Sequence, residues 1–355
     1  MKDMRGKTAI ITGGASGLGS AMADAFGSEG MNIMIADIEA EAARTKVEEL
    51  RARQVRAEWV HVDVTSRDSV RNGAVETIAK FGKVHLVVNN AGIGTGGPLG
   101  SVPEGDWDWV VDVNLKGVVY GVEVFVPLID SHGEGGHVVN TASMAGLISP
   151  AGMEPYCATK YAVVAMSEGW RQQLAPRNIG VSVLCPGLVS TNIYAGRRNR
   201  QNAVYGENDK AYGQADLDRQ REWMAGGIDP LVVARRVVEG IKDDDLYILS
   251  HVEYEHVVRE RFERIMAAFE KSKQSSALAA LPKDRRLDAV KATTGATSLT
   301  RLVTASNLWS RFDRKPVFPI FEPCGNRSKR PMPDVRTGDQ TSYNRHSLDE
   351  IFAGS

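Results

Sequence analysis

Short apolar runs at residues 8–12, 32–36, 58–62, 86–89, 137–141, 181–184 and 246–250 alternate with longer segments whose apolar positions recur at helical spacing, such as 18–28 and 66–81. Runs of this length bounded by turn residues read as strands, and the longer periodic segments read as helices. Repetition of strand, helix, strand requires parallel strands joined by right-handed crossovers. The pattern therefore predicts an α/β fold, a doubly wound parallel sheet of about seven strands with helices on both faces. Ligands of such sheets bind beyond the carboxyl ends of the strands, so the residues just after each run are where chemistry is to be sought.

Composition narrows the class. With 43% hydrophobic and 25% charged residues the chain is globular in character, and it contains no run of 18 apolar residues, so no membrane span is expected. The first residues lead straight into the first strand rather than into a secretory apolar segment, which makes the cytoplasm the expected compartment. Three cysteines, Cys157, Cys185 and Cys324, are odd in number and far apart, which argues against a disulfide framework. Seven histidines show no metal-ligand spacing, so no metal is expected.

The net charge of -1 conceals an asymmetry, because residues 271–355 carry 15 basic and 8 acidic side chains and leave the body acidic. The same stretch holds Pro316, Pro319, Pro323, Pro331 and Pro333, a spacing that blocks helix interiors and central strands. A boundary is expected near residue 272, dividing a catalytic domain, 1–271, from a basic, poorly ordered extension, 272–355. Arg327, Lys329, Arg330 and Arg336 offer an acidic partner contacts; a plain disordered extension is the other reading. An acidic body, and a tail without interleaved aromatic residues, argue against nucleic acid as a partner.

After the first strand comes Thr12-Gly13-Gly14-Ala15-Ser16-Gly17-Leu18-Gly19, opening the first helix. Gly13, Gly17 and Gly19 permit a tight turn and close approach of a pyrophosphate, which the free N–H groups at the helix start would face. Asp37 ends the second strand, where a carboxylate accepts from ribose hydroxyls and repels a 2′-phosphate. With no Arg or Lys between Gly13 and Gly19 or directly after Asp37, NAD is the expected cofactor rather than NADP. A helix N-cap is the alternative role for Asp37. Asp63 and Val64 after the third strand, and Asn90, Ala91 and Gly92 after the fourth, lie at the same edge, placed to contact adenine and close the pocket wall.

Ser143 follows the fifth strand, and Tyr156 and Lys160 stand four residues apart on one helix face. Oxidation of an alcohol needs a base for the hydroxyl proton, and a free tyrosine is a poor one until a neighbouring ammonium favours the phenolate. Ser143 can donate to the substrate oxygen, and Asn114 can hold a water connecting Lys160 to solvent. A surface pair for Tyr156 and Lys160, and a packing amide for Asn114, are the plain alternatives.

Thr12-Gly13-x-x-x-Gly17-x-Gly19, Asn89-Asn90-Ala91-Gly92, Asn114, Ser143, Tyr156-x-x-x-Lys160 and Pro186-Gly187-x-Val189-x-Thr191 together resemble the motif series of the short-chain dehydrogenase/reductase family, in order and spacing, across about residues 5–250. The resemblance implies a Rossmann-type NAD(P)-binding domain, a catalytic tetrad of Asn114, Ser143, Tyr156 and Lys160, and a segment, Pro186, Gly187, Val189 and Thr191, covering the nicotinamide. It also implies a homodimer or homotetramer built on helices near Asn114 and Tyr156. The end departs from the common pattern: in place of a Val-Asp-Gly-Gly turn, residues 246–250 run into a helix with Val258, Phe262, Ile265, Met266 and Phe269 on one face. That ending is more similar to bacterial dehydrogenases that oxidise benzylic alcohols of lignin-derived dimers.

Residues 192–228 read as an insertion forming a helical lid. Tyr194, Tyr205, Tyr212, Trp223 and Met224 suit a bulky or aryl alcohol or ketone, while Arg197, Arg198 and Arg200 either meet an acidic group or form a solvated face. The reading reached is an NAD-linked dehydrogenase for a secondary alcohol. Its rivals are an NADP-linked carbonyl reductase for ketoacyl or steroid-like substrates and a nucleotide-sensing interaction protein.

Overall fold

A computed structural model describes residues 1–207 and 214–279, so Tyr212, Cys324 and the tail residues Arg327, Lys329, Arg330 and Arg336 lie outside the described residues. The chain forms two compact units, residues 1–263 and 264–355. The division falls at Arg264, inside the last long helix of the described residues.

Seven strands, β1 (Thr8–Thr12), β2 (Asn32–Asp37), β3 (Ala57–His61), β4 (Leu86–Asn89), β5 (Gly136–Thr141), β6 (Ile179–Cys185) and β7 (Tyr247–Leu249), make one sheet in the order β3-β2-β1-β4-β5-β6-β7. Every adjacent pair is parallel. Helices α1 (Gly17–Ser28), α2 (Ala40–Ala52), α3 (Arg67–Phe81), α4 (Glu104–Val111), α5 (Gly117–Ser131) and α6 (Glu154–Leu174) fill the crossovers. The segment after β6 carries α7 (Asn202–Tyr205), α8 (Gln214–Ala225) and α9 (Pro230–Asp243), and α10 (Glu255–Lys273) follows β7. The strand boundaries differ from the sequence pattern by one or two residues, since β6 starts earlier, at Ile179, and β7 is confined to three residues.

Alternation along each strand sends side chains to two cores. Ile11, Ile33, Ile35, Leu86, Val88 and Leu184 pack with Met22 and Phe26 of α1 and Val233, Val237 and Ile241 of α9. Ile10, Met34, Val87, Val138 and Val181 pack on the other face with Val70 of α3 and Val122, Phe125 and Ile129 of α5. Burial on both faces explains why these strands read as continuous apolar runs rather than as alternating ones. The order reverses between β1 and β4, which opens a crevice at their carboxyl ends. Among the described residues, no helix is long and apolar enough to cross a membrane.

Candidate active site

The turn after β1 is shaped by the residues that lack a side chain. Gly13 and Gly17 have φ of +62° and +52°, in the left-handed region that glycine tolerates. A Cβ on Gly19 would lie 2.0 Å from the carbonyl oxygen of Gly13, so only glycine lets the first turn of α1 close on the loop. Ser16 stands at the N-cap of α1 yet makes no side-chain cap bond, unlike Ser66, whose side chain accepts from Ser69 N at the start of α3. The N–H groups at the start of α1 are therefore not capped by that hydroxyl and suit an anion such as pyrophosphate. Leu18 turns inward and packs on the core.

Cross-links hold the turn to its neighbours. Thr12 Oγ1 accepts from Asn90 N at 2.9 Å and Ala91 N at 3.1 Å, and Asn90 Nδ2 donates to the carbonyls of Thr12 at 3.1 Å and Gly13 at 3.2 Å. Asp37, 7% exposed, accepts from Ala15 N at 2.9 Å and from Glu39 N at 3.0 Å. Its burial pushes the carboxyl up from the ordinary value while these backbone donors pull it down. Asp63 accepts from Thr65 N and Thr65 Oγ1 at 2.9 and 2.7 Å, and Val64 packs against Gly117 of α5.

The other end of the crevice lies beyond β4, β5 and β6. Ser143 caps the turn after β5, accepting from Ala145 N at 3.1 Å, and its hydroxyl donates to Pro186 O at 3.4 Å; Tyr156, partly buried, stands on α6 nearby. Burial pushes the Tyr156 phenol above its ordinary value, and the Ser143 contact works against that rise. Lys160, 3% exposed, lies with Nζ 5.5 Å from the Tyr156 ring centroid and donates to Thr141 O at 2.9 Å. Desolvation pushes its ammonium down to about 8. Asn114 sits in a π-helical turn, Asp112–Lys116, between α4 and α5, an irregularity often found at functional sites. Its amide is engaged on Ile93, accepting from N at 2.8 Å and donating to O at 2.9 Å. A Cβ on Gly92 would lie 3.4 Å from Asn114 Oδ1 and 3.6 Å from Lys160 Nζ, so Gly92, Asn114 and Lys160 share one wall.

The segment after β6 is tied down by groups that neither motif nor spacing marks. Pro186 O accepts from Met144 N at 2.8 Å, joining it to the Ser143 turn. His251, 5% exposed, accepts from Gly187 N on Nδ1 at 3.0 Å and donates through Nε2 to Leu188 O at 2.9 Å. This pairing requires the neutral Nε2–H tautomer. Val189 forms a bridge with Ile228, and Thr191 packs where a Cβ on Gly17 would lie. The lid arginines pair with carboxylates of the protein itself. Arg197 and Arg200 pair with the fully buried Asp106 at 2.6 and 3.0 Å, and Arg198 pairs with Glu39 at 2.5 Å. Tyr205 donates to Asp112 at 3.0 Å and packs with Trp109, instead of facing outward as a substrate contact. Trp223 is 67% exposed and Met224 is buried. On α10 the apolar residues Phe262, Ile265, Met266 and Phe269 are all exposed.

Away from the crevice the fold gathers His85, His132 and Glu134, a trio the linear spacing does not reveal. Their lone pairs are committed: His85 Nδ1 accepts from Thr8 N, His132 Nδ1 accepts from Glu134 N, and Glu134 receives His85 and Lys83.

Comparison with known proteins gives one consistent answer. The family model for short chain dehydrogenase matches residues 7–202. A protein from Sphingobium sp. named C alpha-dehydrogenase is 34% identical over 267 residues, covering 75% of this chain and 87% of its own. The 3beta-hydroxysteroid dehydrogenase 2 of Eggerthella lenta is 36% identical over 196 residues, 55% of this chain and 75% of its own. Among solved structures, a short chain dehydrogenase/reductase from Burkholderia phymatum in complex with NAD superposes with a TM-score of 0.71 at 38% identity, covering 76% of this chain and 97% of that one.

Buried Lys160 also makes a prediction about stability. Between pH of about 8 and 10.5 the unfolded chain holds a proton that the native lysine has released, so native stability rises with pH across that window and the burial penalty is largest below it. Replacing Lys160 by Met removes the penalty. Thermal melting at pH 7 should show the variant at or above the wild-type midpoint, with its advantage shrinking as the pH is raised toward 10.5. A midpoint several degrees lower at pH 7 would mean that the ammonium stabilises the fold.

Proposed function

The chain belongs to the short-chain dehydrogenase family, and we propose from this that it oxidises a secondary, bulky or aryl alcohol with NAD, using Ser143, Tyr156, Lys160 and Asn114. The observation that carries this reading is the buried Lys160, its Nζ 5.5 Å from the Tyr156 ring centroid, with the Ser143 hydroxyl pulling down the proton affinity of the same phenol. Bound NAD supplies the hydride acceptor at its nicotinamide. Thr12, Gly13, Ser16, Gly17, Leu18 and Gly19 would hold its pyrophosphate, Asp37 its ribose, Asp63 and Val64 its adenine, and Asn90, Ala91 and Gly92 would close the pocket wall. Pro186, Gly187, Val189 and Thr191 would cover the nicotinamide.

Ser143 donates to the substrate oxygen and holds the carbinol carbon toward the acceptor. Tyr156, as phenolate, takes the hydroxyl proton while the carbon loses hydride, so that a ketone is formed and the proton remains on the phenol oxygen. Lys160 stabilises the phenolate at short range, and the positive nicotinamide adds to its effect. Asn114 anchors the wall at Ile93, in reach of Lys160, where a water can return the proton to solvent. Ile193, in the segment after β6, and Met153, just before α6, are both exposed and supply apolar surface suited to an aryl group, and the Sphingobium relative carries the name C alpha-dehydrogenase. The name of the Eggerthella relative favours the second reading, a steroid-like alcohol or ketone. A homodimer or homotetramer through the helices near Asn114 and Tyr156, and a cytoplasmic setting, complete the proposal.

Tyr156→Phe keeps the ring and removes the base. It should bind NAD as wild type does in a fluorescence titration and lose at least about a thousandfold in turnover, within the range general base removal produces. Full turnover would refute the mechanism. Replacing Asp37 by Ser should raise the NADP to NAD ratio of kcat/KM by about tenfold or more, because the carboxylate no longer opposes a 2′-phosphate. A wild type that already prefers NADP would refute the choice of NAD.

A further inference from the structure

Residues 186–191, between β6 and the lid, are tied to the body at both ends by backbone hydrogen bonds. Pro186 O accepts from Met144 N at 2.8 Å; further on, Ser190 N donates to Ile228 O and Ile228 N to Leu188 O, both at 2.9 Å. The middle is clasped by a side chain from much later in the sequence. His251, buried between β7 and α10, accepts from Gly187 N on Nδ1 at 3.0 Å and donates from Nε2 to Leu188 O at 2.9 Å. A backbone N–H and the next residue's C=O call for one acceptor and one donor a single atom apart, which the neutral imidazole provides. The ring is itself fixed, since Ser250 Oγ lies 2.9 Å from Nδ1 and Tyr254 meets it edge-on with centroids 6.2 Å apart. Tyr254 packs in turn on the apolar cluster that includes Ala142 and Met144, on either side of Ser143. The close approach depends on Gly187, because a Cβ there would lie 2.7 Å from the His251 ring and 3.0 Å from that of Tyr254.

A segment already held in its ligand-bound place gives tighter binding, because ordering it no longer opposes the association. We propose that His251 is a positioning residue for the nicotinamide half of the cofactor: by clasping Gly187 and Leu188 it keeps residues 186–191 in place over the ring. It acts through those backbone groups and not on the reacting atoms. The inference rests on the proposal above that Pro186, Gly187, Val189 and Thr191 cover the nicotinamide. On the same reading the adenosine half lies against Asp37, Asp63 and Val64, at the ends of β2 and β3, with β1, β4 and β5 between them and β6. Loss of the clasp therefore weakens the hold on one half of the dinucleotide and leaves the other as it was.

The test is equilibrium binding to the full chain of NADH, followed by its dihydronicotinamide emission, and of ADP-ribose, which lacks the nicotinamide, followed by calorimetry. In wild type the emission should shift to the blue on binding as the ring leaves water. His251→Leu, which can neither accept nor donate, should bind NADH about fivefold or more weakly, the effect of one such hydrogen bond, and ADP-ribose within about twofold of wild type. Its blue shift should be diminished. His251→Gln, whose amide carries an acceptor and a donor on one carbon, should recover most of the NADH affinity and of the shift. Retained ADP-ribose binding shows that the Leu variant is folded; should it not fold, His251→Asn, too short to reach Leu188 O, takes its place. Equal losses for both ligands, no loss for NADH, or a Gln variant no better than Leu would overturn the role of His251. A wild type that binds NADH without a blue shift would instead overturn the nicotinamide cover, and one that binds neither ligand the cofactor itself; either takes this inference with it.

Discussion

A parallel sheet puts every carboxyl end on one edge, and in this chain almost all of the chemistry hangs on that directionality. Seven strands share it, so Thr12, Asp37, Asp63, Asn90, Ser143 and Pro186, spread over about half of the sequence, all stand at the carboxyl end of a strand or within two residues of it, on one edge. An antiparallel strand would carry its successor residue to the far edge. The crossovers that parallel strands require are the helices α1, α5 and α6, and these deliver the remaining groups: the start of α1, which the Ser16 hydroxyl does not cap, the π turn with Asn114 before α5, and the face of α6 that carries Tyr156 and Lys160.

The site then keeps in place groups that are unfavourable on their own. Lys160 is buried with one backbone carbonyl as its hydrogen-bonded acceptor, and its lowered proton affinity records the cost. Asp106 and Arg200 are buried as a pair, a kind of contact that adds little net stability when intact but is expensive to break. Such pairs suit positioning better than stabilisation, and here the pair fixes where the segment after β6 lies: Arg200 is held from below while Arg198 and Gln201 on either side reach the carboxylates at the ends of β2 and β3. His251 does the same for the start of the segment by holding Gly187 and Leu188.

The sheet was legible in the sequence because its strands are buried on both faces and so appear as uninterrupted apolar runs between turn residues. All seven predicted runs overlap observed strands, with shifts at the ends where hydrogen bonding, not hydrophobicity, sets the limit. The glycine turn was legible for a similar reason: Gly19 stands where any side chain would strike the carbonyl of Gly13. Contacts between residues far apart were not legible. Asp106 with Arg200 and Gln201 with Asp63 are separated by 94 and 138 positions, and nothing in local periodicity links them. For that reason the lid arginines read as a solvated face or a substrate contact, while the fold gives them buried or half-buried carboxylates. His251 carried no motif at all, since its role lies in backbone groups of Gly187 and Leu188 that every sequence possesses.

In the proposed function one crevice serves both nucleotide binding and proton transfer, and a crystal structure of the NAD complex tests that most directly. The dinucleotide should lie across the strand ends with its ribose on Asp37, its pyrophosphate over the Gly13–Gly19 turn and its nicotinamide against Ser143 and Tyr156. A dinucleotide bound elsewhere, or with its nicotinamide turned away from Tyr156, would contradict the account.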